Sequence, residues 1–177
     1  MPIFKAKKII GLEIKIKSQK TFQDKLVDII VHPDFGAVLA FAGKKAIFTP
    51  DHFRSLSRGQ LLFDAFSEDS AKKKEVNEVL KSRSFILKNK VETESGHILG
   101  RVSDFEFDDI SWKIQRIFVS NAAILKIFVN KLMIPKDDIL YIGKDKIIVR
   151  DGIVKKEVKS GAKVESEYVG VGTGASL

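Results

Sequence analysis

The sequence predicts a mainly β protein in which an amphipathic helix joins two small β-barrels. Apolar and polar residues alternate in segments such as Leu12–Lys17 and Arg101–Phe107, which is typical of half-buried strands. Turn residues separate these segments, as in His32–Gly36 and Gly143–Lys146. The succession of strands and turns then starts over near residue 85, which indicates an internal repeat.

The first unit is predicted to span residues 1–66. Leu26–Val31 and Ala37–Ala42 are expected to pair as a hairpin around the His32–Gly36 turn, and Ala46–Phe48 forms the next strand. Asp51–Phe53 suits a single helical turn after Pro50, and the strand Leu61–Phe63 closes the unit.

Residues 67–84 contain many helix formers, with Val76, Val79 and Leu80 at helical spacing, so we expect a helical linker. The second unit is predicted to span residues 85–158. Residues 159–177 end in a segment rich in glycine and other small residues, which indicates a flexible C-terminal tail. The segment Leu125–Val129 is extra relative to the first unit. It is either an edge strand that a partner extends or a strand packed inside the protein.

Two stretches align between the halves. Val27–Pro33 matches Ser103–Asp109, and Phe48–Phe53 matches Met133–Ile139 with one residue of slack. The second copy also contains Ser95–Phe105, in which Gly96 and Gly100 precede Val102-Ser103-Asp104, and Ile134–Asp145, which begins Ile-Pro and ends Ile-Gly-Lys-Asp. In this order of motifs the chain resembles the PRC-barrel family in two tandem copies, and the second copy is clearer than the first.

The resemblance implies a small, strongly bent β-barrel in each half. PRC-barrel domains occur in the cytoplasmic subunit of photosynthetic reaction centres, in ribosome maturation factors and in short uncharacterised prokaryotic proteins. In these settings the barrel docks a partner and does not catalyse a reaction. The resemblance therefore implies a binding role and supplies no set of catalytic residues.

Composition limits the chemistry available to this chain. The 177 residues contain no cysteine, which excludes disulfides, thiolate metal sites and thiol nucleophiles. The three histidines lack a metal-binding spacing, and the repeated Asp28 and Asp104 are better explained as structural than as catalytic carboxylates. We therefore expect no catalytic residue, no metal and no cofactor, and a small enzyme is the least favoured class.

The formal net charge is +8, and residues 1–20 supply most of it with six lysines against one glutamate. The exposed candidates for an anionic partner are Lys5, Lys7 and Lys8 near the start and Lys72, Lys73 and Lys74 in the linker. The alternative is that these lysines form solvated surfaces, since scattered lysines usually serve solubility.

Trp112 lies in a turn between charged strands, where it is either an exposed aromatic anchor for a partner or a cap on the barrel. No stretch is long and apolar enough to span a bilayer, and the N-terminal residues lack a secretory pattern, so a cytoplasmic location is expected. The leading hypothesis is a non-enzymatic adaptor that docks a protein partner. The alternative is an RNA- or ribosome-associated factor.

Overall fold

The computed structural model describes residues 3–33, 36–66, 74, 76–78, 86–120, 131–143, 145–151 and 153. These residues are mainly in β-strands, with a sheet curled into a half-barrel. Four features predicted from the sequence lie wholly outside the described residues: Lys72, Lys73, the Leu125–Val129 segment and the 159–177 tail. Of the predicted linker helix, Lys74 and residues 76–78 are described, and they are helical.

The first sheet contains six strands in the order β5-β4-β3-β2-β7-β6. Its strands are β2 (Glu13–Ile16), β3 (Gln19–Val31), β4 (Val38–Gly43), β5 (Ile47–Phe48), β6 (Phe53–Ser57) and β7 (Gln60–Phe63). A 3₁₀ turn, Pro50–His52, separates β5 from β6 where the sequence predicts a single helical turn. The strand β6 has no counterpart in the sequence prediction.

The second sheet contains seven strands, six of them in the order β11-β10-β9-β8-β13-β12. Its strands are β8 (Lys90–Thr93), β9 (Ile98–Asp108), β10 (Ile114–Ser120), β11 (Lys131–Pro135), β12 (Ile139–Ile142), β13 (Lys146–Val149) and the N-terminal β1 (Ile3–Lys5), which pairs with β9. The 3₁₀ turn Lys136–Asp138 separates β11 from β12.

The sequence repeat therefore corresponds to two sheets with the same strand order. In each sheet the first and last strands of the repeat, β2 with β7 and β8 with β13, are the parallel pair. A proline stands at the start of the 3₁₀ turn in both, as Pro50 and as Pro135 one position earlier, which is the one residue of slack in the sequence alignment.

The backbone repeats in detail as well. The N–H of Gly11 donates to the carbonyl of Leu26, and in the second sheet the N–H of Lys88 donates to the carbonyl of Val102, both at 2.8 Å. The donor residue has a positive φ each time, 96° at Gly11 and 76° at Lys88. Lys88 thus adopts a left-handed conformation that glycine tolerates at lower cost.

The two sheets meet at the turns that follow β3 and β9. An antiparallel bridge between Ala37 and Lys113 joins these turns. Its two N–H···O bonds run from Val38 to Trp112 at 2.7 Å and from Ile114 to Gly36 at 2.8 Å. The two bonds are reciprocal, since each sheet donates from the first residue of a strand to the turn of the other. A pseudo-twofold axis therefore passes through the Ala37–Lys113 bridge.

The segment that precedes the first sheet packs on the second one. The strand β1 and the short helix α1 (Ala6–Ile9) both contact β9. The N–H of Lys7 donates to the carboxylate of Asp104 at 3.0 Å, and Ala6 and Ile9 are buried. Buried apolar residues from both sheets form one continuous cluster, so the halves share their core.

Candidate docking groove

A groove of about 380 Å³ lies where the second sheet meets the turn of the first. Its apolar wall is β12, the last strand in the order of its sheet, in which Leu140 is 44% and Tyr141 48% exposed. Buried Ile114 and Ile142 also line the groove. Large apolar side chains that stay half exposed beside a concave surface are typical of binding sites.

Two glycines shape this groove. A Cβ added to Gly143 would lie 2.4 Å from Cε1 of Tyr141, so the Tyr141 ring rests directly on the backbone there. A Cβ added to Gly36 would lie 3.2 Å from Cδ1 of Ile142. The positions of Tyr141 and Ile142 therefore depend on backbone that has no side chain.

The rim of the groove is charged. Lys113 and Lys136 are exposed lining residues, and Asp137 is the acidic one beside them. The register of β12 against β13 shifts between Ile139 and Tyr141. A bulge of this kind blunts an edge strand and disfavours pairing with an added strand, so side chains are the more accessible feature of β12.

The pseudo-twofold axis relates this groove to a smaller notch of about 200 Å³ in the first half. The notch is lined by Ala37 and Val38, the counterparts of Lys113 and Ile114, and by Asp51, the counterpart of Asp137. One wall of this notch is Val76, a residue of the linker helix that is 1% exposed.

Trp112 is the sequence-predicted site residue nearest to these features. Its ring is half buried, and its centroid lies 5.2 Å from that of Phe53, 5.7 Å from Phe41 and 6.4 Å from Phe4. The φ of Trp112 is 58°, the same as at its counterpart Gly36. Of the two sequence hypotheses, a cap on the core fits this geometry better than a freely exposed anchor.

The described lysines among the predicted partner contacts have different surroundings. The ammonium of Lys5 lies 3.8 Å from the Glu106 carboxylate and 4.1 Å from the centroid of the Phe118 ring. Lys7 and Lys8 are exposed on α1, and Lys74 is exposed on the linker helix. Lys5 is thus already engaged within the second sheet.

Two carboxylates with lowered pKa values serve turns. Burial opposes ionisation of Asp108, but hydrogen bonds from the hydroxyl and N–H of Ser111, the N–H of Ile110 and the amide of Gln115 outweigh it and lower the pKa to about 2. Burial likewise opposes ionisation of Asp24, and backbone N–H donors lower its pKa overall. These donors belong to residues 25, 44, 45 and 46, so Asp24 fixes the turn between β4 and β5.

One exposed cluster contains a serine, a histidine and an aspartate. The hydroxyl of Ser95 donates to Asp151 at 2.8 Å and lies 2.8 Å from Nδ1 of His97. With its proton directed to Asp151, the Ser95 hydroxyl is arranged differently from the serine of a hydrolytic triad, which donates its proton to the histidine. The Ser95 hydrogen bonds lower the pKa of Asp151 and tie the β8–β9 turn to the residue that follows β13.

Within the described ranges, no group of three or more His, Cys, Asp or Glu side chains is arranged to hold a metal ion. No helix in the described part of the chain is long and apolar enough to cross a membrane.

The sequence hypotheses did not include Leu140 and Tyr141. Their segment looks like any other strand in the sequence, and its exposure results from its place at the end of the sheet. No protein-family model matches the chain, and no curated protein is significantly similar to it.

Proposed function

We propose that the chain is a non-enzymatic docking protein that binds a protein partner through the groove beside β12. The observation that supports this most strongly is the exposure of Leu140 and Tyr141 at the wall of a groove of about 380 Å³. Burying two such side chains removes apolar area from water, which is the main favourable term in most protein association.

The proposal includes two PRC-barrel-like units as the scaffold. It is supported by the resemblance of the sequence motifs and by the common order of six strands in the two sheets. The expected cytoplasmic location also remains part of the proposal.

A non-enzymatic role is supported by what the polar groups do. Asp24, Asp108 and Asp151 all have lowered pKa values, and each accepts hydrogen bonds that hold a turn in place. A general acid or base needs a pKa near the working pH and a position next to substrate. These carboxylates are better suited to holding the scaffold together.

The second candidate is an RNA- or ribosome-associated factor. The adjacent exposed side chains of Lys7 and Lys8 favour it, because phosphate contacts come mainly from such cations. The engaged position of Lys5 weakens it, since that ammonium already lies near Glu106.

Affinity capture with the full chain tests the proposal. The tagged chain and its Leu140→Ser variant are used as bait in nuclease-treated extract of the source cell, and retained proteins are identified by mass spectrometry. We expect a stoichiometric protein partner that survives nuclease treatment and moderate salt. Retention of RNA with a steep loss on adding salt, by a log–log slope of about −0.7 per neutralised phosphate, would favour the second candidate instead.

A further inference from the structure

The outer face of the first sheet carries lysines on its neighbouring strands β2 and β3. On β2, Lys15 lies opposite Gln23 of β3. One row along, Glu13 lies opposite Lys25. Opposed residues point to the same side of a sheet, and Ile14 between the two rows is buried on the other side. These four polar side chains therefore share the face that is turned away from the core.

The turn between β4 and β5 adds two lysines to this face. The N–H groups of Lys44 and Lys45 donate to the carboxylate of Asp24 at 2.9 and 3.0 Å, which fixes the turn beside β3. The ammonium of Lys45 donates to the carbonyl of Gln23 at 2.9 Å, so its charge is held beside the residue opposite Lys15. We call this surface the basic face, and its lysines are Lys15, Lys25, Lys44 and Lys45.

The charge of the basic face is not neutralised within the described part of the chain. None of its lysines forms an ion pair there. The carboxylate of Glu13 accepts a hydrogen bond from the amide of Gln60 at 3.0 Å, and the buried carboxylate of Asp24 is occupied by backbone N–H donors. A surplus of positive charge therefore faces solvent, where it attracts anions.

The corresponding face of the second sheet is neutralised by its own side chains. Glu92 of β8 takes the place of Lys15 of β2 in the parallel pair of strands. It forms ion pairs with Lys90, at 2.9 Å, and with Lys146. The same position is thus negative and paired in one half but positive and unpaired in the other, so the strand arrangement itself does not require the basic face.

From these observations we propose that the basic face binds the phosphate backbone of a single-stranded nucleic acid. The side chains in register with Lys15 and Lys25 are Gln23, Glu13 and the half-buried Leu62, so charge is the main attraction that this face offers. Phosphate contacts bind through charge alone, whereas a protein ligand needs a central apolar anchor. Duplex DNA stays nearly straight over about 50 nm, but a single strand can follow a small, uneven surface.

The salt dependence of binding tests this ligand chemistry. Fluorescence anisotropy measures the affinity of the full chain for a labelled oligouridylate of about 12 nucleotides at several salt concentrations. We expect a log–log slope of about −3, since each of the four lysines that neutralises a phosphate contributes about −0.7. Oligocytidylate should bind within about twofold, because the positions in register with the lysines offer no aromatic ring for stacking on bases. A slope near zero would overturn the proposal.

Variants of the full chain locate the site. Lys15→Gln combined with Lys45→Gln should reduce the slope to about −1.5 and weaken binding about tenfold at low salt. The control, Lys113→Gln combined with Lys136→Gln, removes the same charge at the groove. Lys113 bridges to the residue before β4, whereas Lys44 follows that strand, so the two surfaces lie at opposite ends of it. The control should bind the oligonucleotide like the wild type, and equal losses in both double variants would contradict the proposal.

Two other ligands would give distinct results. If an oligoglutamate of equal charge binds as tightly as the oligouridylate, the basic face recognises acidic protein segments, and the proposal is wrong. If a duplex of the same length binds more tightly than the single strand, the single-stranded ligand is wrong. Capture of a protein partner that Leu140→Ser abolishes but Lys15→Gln with Lys45→Gln does not would show that docking at the groove is independent of the basic face.

Discussion

The outer faces of the two sheets differ in chemistry at corresponding positions. In the first sheet the cross-strand pair Ile30 and Ala40 is covered by Val76, and all three are buried. In the second sheet the corresponding cross-strand pair is Glu106 and Arg116, whose charged groups lie 3.0 Å apart. One face thus takes an apolar helix, and the other holds an ion pair.

The two aspartates at corresponding positions of the repeat, Asp28 and Asp104, also differ in what they contact. Burial raises the pKa of Asp28, and a hydrogen bond from the N–H of Ile29 opposes this only in part. Asp104 is 3% exposed and accepts N–H bonds from both Lys7 and Phe105. Asp104 therefore holds α1 in place. In the second copy, the repeated aspartate thus makes a contact between the second sheet and the N-terminal segment of the chain.

These differences show how a duplicated scaffold diverges. The backbone hydrogen bonds that define the sheets are kept in both copies, since an unpaired buried N–H or carbonyl is costly wherever it occurs. The side chains at the turns and outer faces are free to change, because they determine only which element packs there.

The largest loss of stability is expected at the corresponding positions whose side chains differ most, Gly36 in the first half and Trp112 in the second. Trp112→Ala should lower the free energy of unfolding by about 3 kcal/mol, because the ring packs among Phe4, Phe41 and Phe53. For a chain of this length that is a fall of about 10 °C in melting temperature, measured by calorimetry.

A matched variant separates the contribution of the Trp112 ring to stability from that of its backbone conformation. Trp112→Gly removes the same ring but suits the φ of 58°, so it should be about 0.5 kcal/mol less destabilising than Trp112→Ala. If both variants melt with the wild type while partner capture falls, Trp112 is an exposed anchor and the cap interpretation is wrong.

An intermediate effect is expected at Asp108, which has no carboxylate counterpart, since His32 occupies the corresponding turn position. Because the pKa of Asp108 is lowered from 3.8 to about 2, its contribution to stability is complete above the unfolded pKa and is lost as the pH falls toward 2. Asp108→Asn should lower the free energy of unfolding by about 2 kcal/mol at neutral pH, since charge-assisted hydrogen bonds are weakened.

Urea denaturation between neutral pH and pH 2 measures this. The wild type and Asp108→Asn should converge in stability in acid, whereas Asp145→Asn, at an exposed carboxylate, should run parallel to the wild type. A constant difference between the wild type and Asp108→Asn across the range would show that the variant acts by geometry and not through ionisation.

The local pattern of the chain predicted its local structure well. Alternation in Arg101–Phe107 lies within β9, and Pro50 and Pro135 mark equivalent 3₁₀ turns. A period of two and a fixed proline φ are properties of neighbouring residues, so a sequence reveals them directly.

The relation between the halves was not predictable in the same way. The bonds of Val38 to Trp112 and of Ile114 to Gly36 join turns about 75 residues apart, and no local pattern encodes such pairings. The same holds for Leu140 and Tyr141, whose apolar character suggests burial while their place on the last strand of a sheet leaves them half exposed.

The smallest effect tests the backbone repeat itself, at Gly11 and Lys88. Lys88 is exposed, and its φ of 76° is one that an L-residue adopts at a cost which glycine avoids. Lys88→Gly should therefore raise the free energy of unfolding by about 0.5 kcal/mol, because relief of the left-handed strain exceeds the added entropy of the unfolded chain. Gly11→Ala should change stability in the opposite direction, as its φ is 96° and the N–H bond to Leu26 keeps the backbone in place.

Urea denaturation gives the signs of these stability changes. The midpoints of the two single variants and of their combination are compared with that of Lys90→Gly, which lies within the regular strand β8. Stabilisation by Lys88→Gly with destabilisation by Lys90→Gly is the expected result, and a loss of stability in both would mean that the Lys88 side chain itself stabilises the second sheet.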